Sequence, residues 1–207
     1  MLENVRIIAG TFRSRSLEAP AGLATRPTSD RLRETLFNVL APRIEGAVFL
    51  DLYAGSGAVA LEALSRGAAR VELVEKAPPA LKIMRANFAK LGIHHGFSIH
   101  ESSVGAALRR MGQRAAKAAG SEAAAQPVAA RPVQCFDLVF LDPPYDAEDE
   151  YLATLGGLGG VLSNLLAPQA LVIAEHRRKE KLEERYGALK RTRLLEQGDA
   201  ALSFYAR

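Results

Sequence analysis

Residues 48–67 read VFLDLYAGSGAVALEALSRG, a short apolar run followed by a glycine turn and a segment of helix-forming residues. The apolar run predicts a buried strand at 48–52, and Gly67 is the expected end of a helix over 57–66. Glycines let the backbone approach a ligand closely, and the N-terminus of the helix presents free N–H groups. This segment therefore predicts a strand–turn–helix unit that binds a nucleotide-type cofactor.

A second strand is predicted at 70–75, and it ends in Glu75. A carboxylate about 20 residues after a glycine turn commonly holds ribose hydroxyls. Two enzyme classes use this arrangement. Nicotinamide-dependent oxidoreductases share the G-x-G-x-x-A pattern of residues 55–60, and S-adenosylmethionine (SAM) methyltransferases carry an acid such as Asp51 shortly before the glycines. The glycine turn alone does not decide between them.

Residues 136–145 read FDLVFLDPPY, and they place Asp142, Pro143, Pro144 and Tyr145 just past a predicted strand. In open α/β sheets, ligands bind at this edge. Tyr145 can stack on a flat ring, while Asp142 and the Pro143 carbonyl can accept hydrogen bonds from an exocyclic amino group. Asp-Pro-Pro is also a common turn after a strand. Following a glycine turn and an acid on the second strand, however, the tetrad indicates a SAM-dependent amino-methyltransferase.

The expected catalytic group is this tetrad, in which Asp142 stabilises the charge that develops on the attacked nitrogen. Two successive prolines lack N–H donors, so only acceptors point into the site. For the SAM cofactor, Asp51 is expected to order the glycine turn or meet the methionine amino group, and Glu75 is expected to hold the ribose. Backbone contacts are expected from Ala54, Gly55, Ser56 and Gly57.

The 207 residues, with 48% hydrophobic side chains and a net charge of +4, suit one α/β domain with its own core. No apolar run approaches the roughly 18 residues of a membrane helix, and no signal segment is evident. A cytoplasmic protein without membrane contact is therefore expected. The single Cys135 is expected to be a buried hydrophobe, and the four histidines lack metal-ligand spacing, so no metal is expected.

Alternating elements predict a Rossmann-like SAM-dependent methyltransferase fold, an α/β fold with a seven-stranded, mainly parallel sheet and a C-terminal β-hairpin. We expect residues 1–45 to form a β-arm, with a turn at 20–22, and a lead-in helix that ends near Leu40. Residues 46–207 would form the methyltransferase domain, with a flexible Ala-rich insertion near 113–132. Further strands are predicted near 97–100, 135–141 and 170–175, and further helices near 77–91 and 103–117.

Arginines are frequent in the first 33 residues, where Phe12 lies among them. A basic arm with an aromatic residue suits contact with RNA phosphates and bases. The second basic run, HRRKEK at 176–181, is predicted to be a solvated helix start, and GGLGG at 156–160 a mobile connection. The RNA contacts are expected from Arg13, Arg15, Arg26 and Arg31.

Three blocks of the sequence resemble the bacterial RsmD family: RIIAGTFR at 6–13, RPTSDRLRETLFN at 26–38, and residues 52–67. Members of that family methylate the N2 amino group of one guanine in small-subunit ribosomal RNA. The resemblance implies 16S rRNA in a partly assembled small subunit as the partner, and a monomeric enzyme. Family members usually carry an acid near Ser103 that contacts the adenine of SAM, and a serine offers an acceptor without charge.

Three alternatives remain open. The first is an amino-methyltransferase acting on adenine N6 or cytosine N4 of DNA, or on a glutamine side chain. Asp rather than Asn at position 142, and the lack of an evident target-recognition domain, favour RNA guanine. The second is a nicotinamide-dependent oxidoreductase, which rests on the glycine pattern. The third is a catalytically silent RNA-binding factor, which the intact tetrad argues against.

Overall fold

The computed structural model describes residues 5–19, 30–119, 135–144 and 148–207. The helices are α1 (Asp30–Ile44), α2 (Ala58–Ser65), α3 (Pro78–Lys90), α4 (Val104–Ala119) and α5 (Glu148–Gly159), with a 3-10 turn at Ser163–Leu165. The strands are β1 (Val48–Leu52), β2 (Arg70–Glu75), β3 (Phe97–Glu101), β4 (Phe136–Leu141), β5 (Leu166–Arg177), β6 (Arg185–Tyr186), β7 (Leu189–Gln197) and β8 (Ala200–Ala206).

All of these strands belong to one sheet, in the order β3-β2-β1-β4-β5-β8-β7-β6. The first five are parallel, whereas β8 is antiparallel to β5, β7 to β8, and β6 to β7. The predicted α/β fold and its C-terminal hairpin are confirmed. The sheet has eight strands rather than seven, because the two-residue strand β6 adds to its far edge.

Helices cover both faces of the sheet, as the alternation of side chains along β1 requires. Phe49 faces the core cluster that contains α1, α2 and α3, with Phe37 and Phe88 among its buried residues. Leu50 faces the second cluster, where α4 and α5 pack, with Leu155 among its buried residues. None of the helices in the described ranges is long and apolar enough to cross a membrane.

The N-terminal arm is a tight hairpin rather than a pair of regular strands. Its two sides meet in one isolated bridge, Arg6 to Ser16, and its turn lies at 10–13. The turn packs on the end of α2, where a Cβ at Gly10 would lie 1.8 Å from the carbonyl oxygen of Ser65. The turn that the sequence predicts at 20–22 lies outside the described residues.

Two predicted boundaries are wrong. Helix α1 continues through Pro42 to Ile44, because a proline in the last turn removes only one helical hydrogen bond. The run at 176–181 does not begin a helix, because β5 extends to Arg177 and His176 is buried. The ring of His176 lies 2.9 Å from the hydroxyl of Ser203 on β8, so this polar side chain is satisfied inside the sheet.

The glycine-rich segment predicted to be a mobile connection is largely helical, since Gly156, Gly157 and Gly159 belong to α5. A Cβ at Gly159 would lie 1.8 Å from the carbonyl oxygen of Tyr186. The glycine therefore allows the backbone of α5 to pack against the turn after β6. The helix predicted near 103–117 is confirmed as α4, which ends at Ala119 and thus includes the start of the predicted insertion. Residues 120–132 lie outside the described part of the chain.

Candidate functional site

The glycine turn joins β1 to α2 at the carboxyl edge of the parallel strands. Its backbone is held by the neighbouring strand β2: Ala54 N donates to the carbonyl of Val74 at 2.9 Å, and Gly55 N donates to Glu75 Oε2 at 2.9 Å. The other carboxylate oxygen of Glu75 accepts from the backbone N–H groups of Lys76 and Ala77, both at 2.7 Å. Glu75 is thus fixed beside the turn. Its Oε2 accepts only one of these hydrogen bonds and can accept another from a ligand.

The two glycines of the turn have different physical roles. Both have a positive φ, 55° at Gly55 and 78° at Gly57. A Cβ at Gly57 would lie 3.1 Å from Met84 Cγ on α3, so this position is needed for packing. A Cβ at Gly55 would meet nothing within 4 Å in the described structure. The space above Gly55 can therefore receive a ligand against the bare backbone.

Asp51 is almost completely buried, with 1% exposure, beneath the same turn. Its Oδ2 accepts a hydrogen bond from Ala60 N in the first turn of α2 at 3.2 Å. Burial raises the pKa of Asp51 to about 8, and the charge of Glu75 adds to the rise. Asp51 therefore orders the start of α2, and its protonation depends on the charges around the turn.

Asp142 lies directly after β4, the neighbour of β1, and the residue is half-buried. Enclosure of its carboxyl group raises the pKa of Asp142 well above its ordinary value, and Glu175, Asp51 and Glu180 raise it further. Pro143 is buried and Pro144 is exposed. The fold thus brings the acids at the ends of β1, β4 and β5 to one edge of the sheet. Tyr145 lies outside the described residues.

The profile of the family described as Conserved hypothetical protein 95 matches residues 5–206. The chain belongs to this family, the RsmD family. Ribosomal RNA small subunit methyltransferase D of Haemophilus influenzae is 33% identical over 175 residues, which are 83% of this chain and 78% of that protein. YlbH of Bacillus subtilis is 30% identical over 203 residues, 98% of this chain and 99% of YlbH. The solved structure of yhhF of Escherichia coli matches with a TM-score of 0.75 and 31% identity, over 99% of this chain and 98% of that one.

In this RsmD-family chain, Tyr53 has a structural role that the sequence did not reveal. It adopts a positive φ of 67° within the glycine turn. Its hydroxyl lies 2.7 Å from Glu150 Oε2 and 3.3 Å from Thr154 Oγ1, both on α5. Burial raises the pKa of Tyr53, so the hydroxyl acts as the donor to Glu150.

Asn87 on α3 is a second residue that sequence reasoning missed. It is fully buried, and its side-chain amide donates to the carbonyl oxygens of Ser56 and Glu18, both at 3.0 Å. Its Oδ1 accepts from Glu18 N at 2.7 Å. One side chain therefore connects the glycine turn to the N-terminal arm.

The two serines after β3 differ in what they offer to a ligand. Ser103 is exposed, and its carbonyl oxygen accepts from Ala107 N at 3.0 Å at the start of α4. The hydroxyl of Ser102 is buried and finds no hydrogen-bond partner within the described residues. A buried hydroxyl without a hydrogen-bond partner costs free energy, and a bound ligand can supply the missing partner. Ser102 is therefore a better candidate than Ser103 for a hydrogen bond to a ligand.

The predicted RNA-contacting arginines are not brought together. Arg13 and Arg15 are exposed in the arm, whose turn packs on the end of α2 away from the glycine turn. Arg31 is exposed on α1, where Thr35 Oγ1 lies 2.9 Å from Gln197 Oε1 at the end of β7. The end of β7 and the start of β8 lie opposite the end of β5, which is at the carboxyl edge of the parallel strands. The contact of α1 with the end of β7 therefore places Arg31 near the edge that carries Asp142. Arg26 lies outside the described residues.

Proposed function

We propose that this chain transfers a methyl group from SAM to the N2 amino group of a guanine in 16S rRNA. The observation that carries the proposal is the placement of Asp142 and Pro143 at the end of β4, beside the β1 glycine turn, in a chain of the RsmD family. We further propose that the enzyme acts as a monomer on the assembling small subunit in the cytoplasm. Residues 1–45 would contact RNA, and residues 46–207 would form the methyltransferase domain.

The residues around the glycine turn fit SAM. The backbone at 54–57 would line the ligand, since Gly55 leaves open space and the first N–H groups of α2 lie beside it. Glu75 has the free acceptor capacity that ribose hydroxyls need. Asp51 would order this turn, and Ser102 and Ser103 would supply the polar contact to the adenine amino group. When bound, SAM supplies a methyl group that its sulfonium has already activated.

The chain's own contribution to the reaction is mainly alignment of the acceptor nitrogen. Asp142 and the Pro143 carbonyl would each accept a hydrogen bond from one N–H of the guanine amino group. This favours a pyramidal nitrogen whose lone pair points at the methyl group. Ionised Asp142 would also stabilise the positive charge that develops on that nitrogen. The methylated nitrogen is acidic, so its proton can pass to Asp142 or to water. Tyr145 would stack on the flipped base, a contact worth roughly 1–3 kcal/mol.

The test is transfer of labelled methyl from SAM to small-subunit particles, naked 16S rRNA and DNA, each from a host that lacks this methylation, followed by nucleoside analysis. Label in N2-methylguanosine of rRNA is the expected result. Label in another nucleoside, or in DNA, would overturn the proposed substrate.

The role of Asp142 is tested in the same assay with Asp142→Ala. We expect turnover to fall by roughly 100-fold or more, in line with loss of a group that stabilises developing charge, while SAM still binds. Asp149→Ala removes an exposed acid from α5 and is the matched control, expected to retain normal turnover. Near-normal turnover of Asp142→Ala would refute this role.

A further inference from the structure

The edge strand β3 is flanked by two helices with an unusual charge balance. Helix α3 contains three basic residues in total and α4 contains four, and neither helix contains an acidic residue. On α4, Arg110, Arg114 and Lys117 are exposed at spacings of four and three residues, which place them along one side of the helix. The β3 edge of the sheet therefore presents a concentrated positive charge.

Two grooves lie at this edge, one on each side of β3. The groove beside α3 has a volume of about 410 Å³ and is lined by Lys76, Lys82 and Arg85. The groove beside α4 has a volume of about 300 Å³, and its lining includes Arg110 and Arg114. We call these five cations the β3-edge surface. Because Glu101 at the end of β3 lines both grooves, they adjoin one another.

Most of this positive charge is not neutralised by the protein. Glu101 forms an ion pair with Arg85. Within the described ranges, no carboxylate pairs with Lys76, Lys82, Arg110 or Arg114. Cations that line grooves without acidic partners are suited to the phosphates of a nucleic acid, whose contacts displace bound counterions.

The end of β3, where the two grooves adjoin, lies at the same edge of the sheet as the proposed catalytic residue. Strands β3 and β4 are both parallel to β1, so their carboxyl ends meet at the same edge of the sheet. Glu101 and Asp142 both lie at that edge. Three strand spacings of about 4.8 Å separate β3 from β4, a distance of roughly 14 Å. A polynucleotide whose base enters the pocket at Asp142 can therefore extend to the grooves.

We propose that the β3-edge surface binds the sugar–phosphate backbone of the rRNA next to the target guanine. The inference rests on the proposed function, because it takes RNA as the substrate. Lysine and arginine contacts to phosphates position a nucleic acid without reading its sequence. The surface thus contributes affinity and orientation, and the pocket at Asp142 selects the base.

The experiment compares two double variants. R110A/R114A removes two exposed cations from the surface, and R185A/K190A removes two exposed cations from β6 and β7 at the opposite edge of the sheet. For R110A/R114A we expect KM for small-subunit particles to rise about 10-fold, with kcat and SAM affinity unchanged. The slope of log K for rRNA against log salt should become shallower by about 1.4–1.8, as for two lost phosphate contacts. The control pair should change KM less than twofold.

K76A/K82A, which removes two cations from the groove beside α3, should also weaken rRNA binding. Unchanged rRNA affinity and salt slope in R110A/R114A would overturn the inference, as would an equal loss in R185A/K190A. Failure of the proposed function has a different signature, because the wild-type chain would then label no rRNA guanine at all. Direct rRNA binding by filter assay tests the surface in either case.

Discussion

The phenolic oxygen of Tyr53 lies 2.7 Å from Oε2 of Glu150, and this contact joins the glycine turn to α5. Glu150 is in the first turn of α5, shortly after the segment that begins with Asp142. A bulky residue with a positive φ is strained, and such strain persists where surrounding contacts hold it. The contact therefore couples the proposed cofactor turn to the helix that follows the proposed catalytic segment.

Tyr53→Phe removes this hydrogen bond and keeps the ring. We expect the free energy of unfolding to fall by about 1 kcal/mol and SAM affinity to weaken several-fold, because the turn loses a support. Urea denaturation and titration calorimetry measure the two quantities. Tyr205→Phe is the matched control, since it removes a hydroxyl bond to the carbonyl of Glu183 away from the turn. It should lower stability only, and wild-type SAM affinity in Tyr53→Phe would contradict the coupling.

Asp51 makes stability depend on pH. Burial raises its pKa to about 8, whereas the pKa of an unfolded aspartate is about 3.9. Between these values the folded state holds the proton more tightly, so the Asp51 contribution to the free energy of unfolding falls as pH rises. Asp51→Asn keeps an acceptor for Ala60 N and removes this titration. Urea denaturation from about pH 5 to 8.5 should show the variant gaining stability relative to wild type, whereas parallel profiles would contradict the raised pKa.

The rate of methyl transfer should rise with pH because of Asp142, whereas the contribution of Asp51 to stability falls with pH. The carboxyl group of Asp142 must be ionised to stabilise charge, and its pKa is raised first by enclosure and then by Glu175, Asp51 and Glu180. The rate at saturating SAM should therefore increase with pH until Asp142 is ionised. Glu180→Gln removes one neighbouring charge and should shift the profile to lower pH. Glu184→Gln, an exposed change in the loop before β6, should leave the profile in place.

The strands and their ends could be predicted because each is a local pattern. Runs of apolar residues gave β1 and β2 at their observed bounds, and acids at strand ends then placed Asp51, Glu75 and Asp142 at one edge. Helix α5 was missed because its glycines weaken local helix propensity, while packing of Gly159 on Tyr186 requires one of them.

The remaining site features depend on contacts between distant parts of the chain. Tyr53 meets Glu150 across 97 residues, and Asn87 meets Glu18 across 69. Burial of His176 depends on Ser203 in another strand. Hydrophobic periodicity contains no information about such pairs, so a polar residue on a predicted helix or strand gives no sign of its partner.

Glu62 on α2 should be a main determinant of arm docking. Its buried carboxylate accepts from Ile8 N at 2.7 Å, Ala9 N at 3.0 Å and Arg66 Nε at 2.6 Å. Glu62→Gln replaces one acceptor by a donor and removes the charge that pairs with Arg66, whose side chain is 14% exposed. The free energy of unfolding should therefore fall by about 1–3 kcal/mol. Urea denaturation measures the loss. Glu34→Gln, the same change at an exposed site on α1, should cost less than about 0.5 kcal/mol, and a similarly small loss at Glu62 would contradict its role.

Asn87 offers the sharpest test of whether the arm and the glycine turn act together. Asn87→Asp is isosteric, but it replaces the amide NH2 that donates to the carbonyl oxygens of Ser56 and Glu18 by a carboxylate oxygen. That oxygen cannot donate and is repelled by both carbonyl oxygens. We expect a loss of about 1–3 kcal/mol in the free energy of unfolding and weaker SAM binding, because the turn loses its anchor on α3. Asn38→Asp makes the same chemical change at an exposed site on α1 and should alter neither quantity. If Asn87→Asp folds and binds SAM within twofold of wild type in titration calorimetry, the turn is held sufficiently by Glu75 and Tyr53, and the arm has no influence on the cofactor site through Asn87.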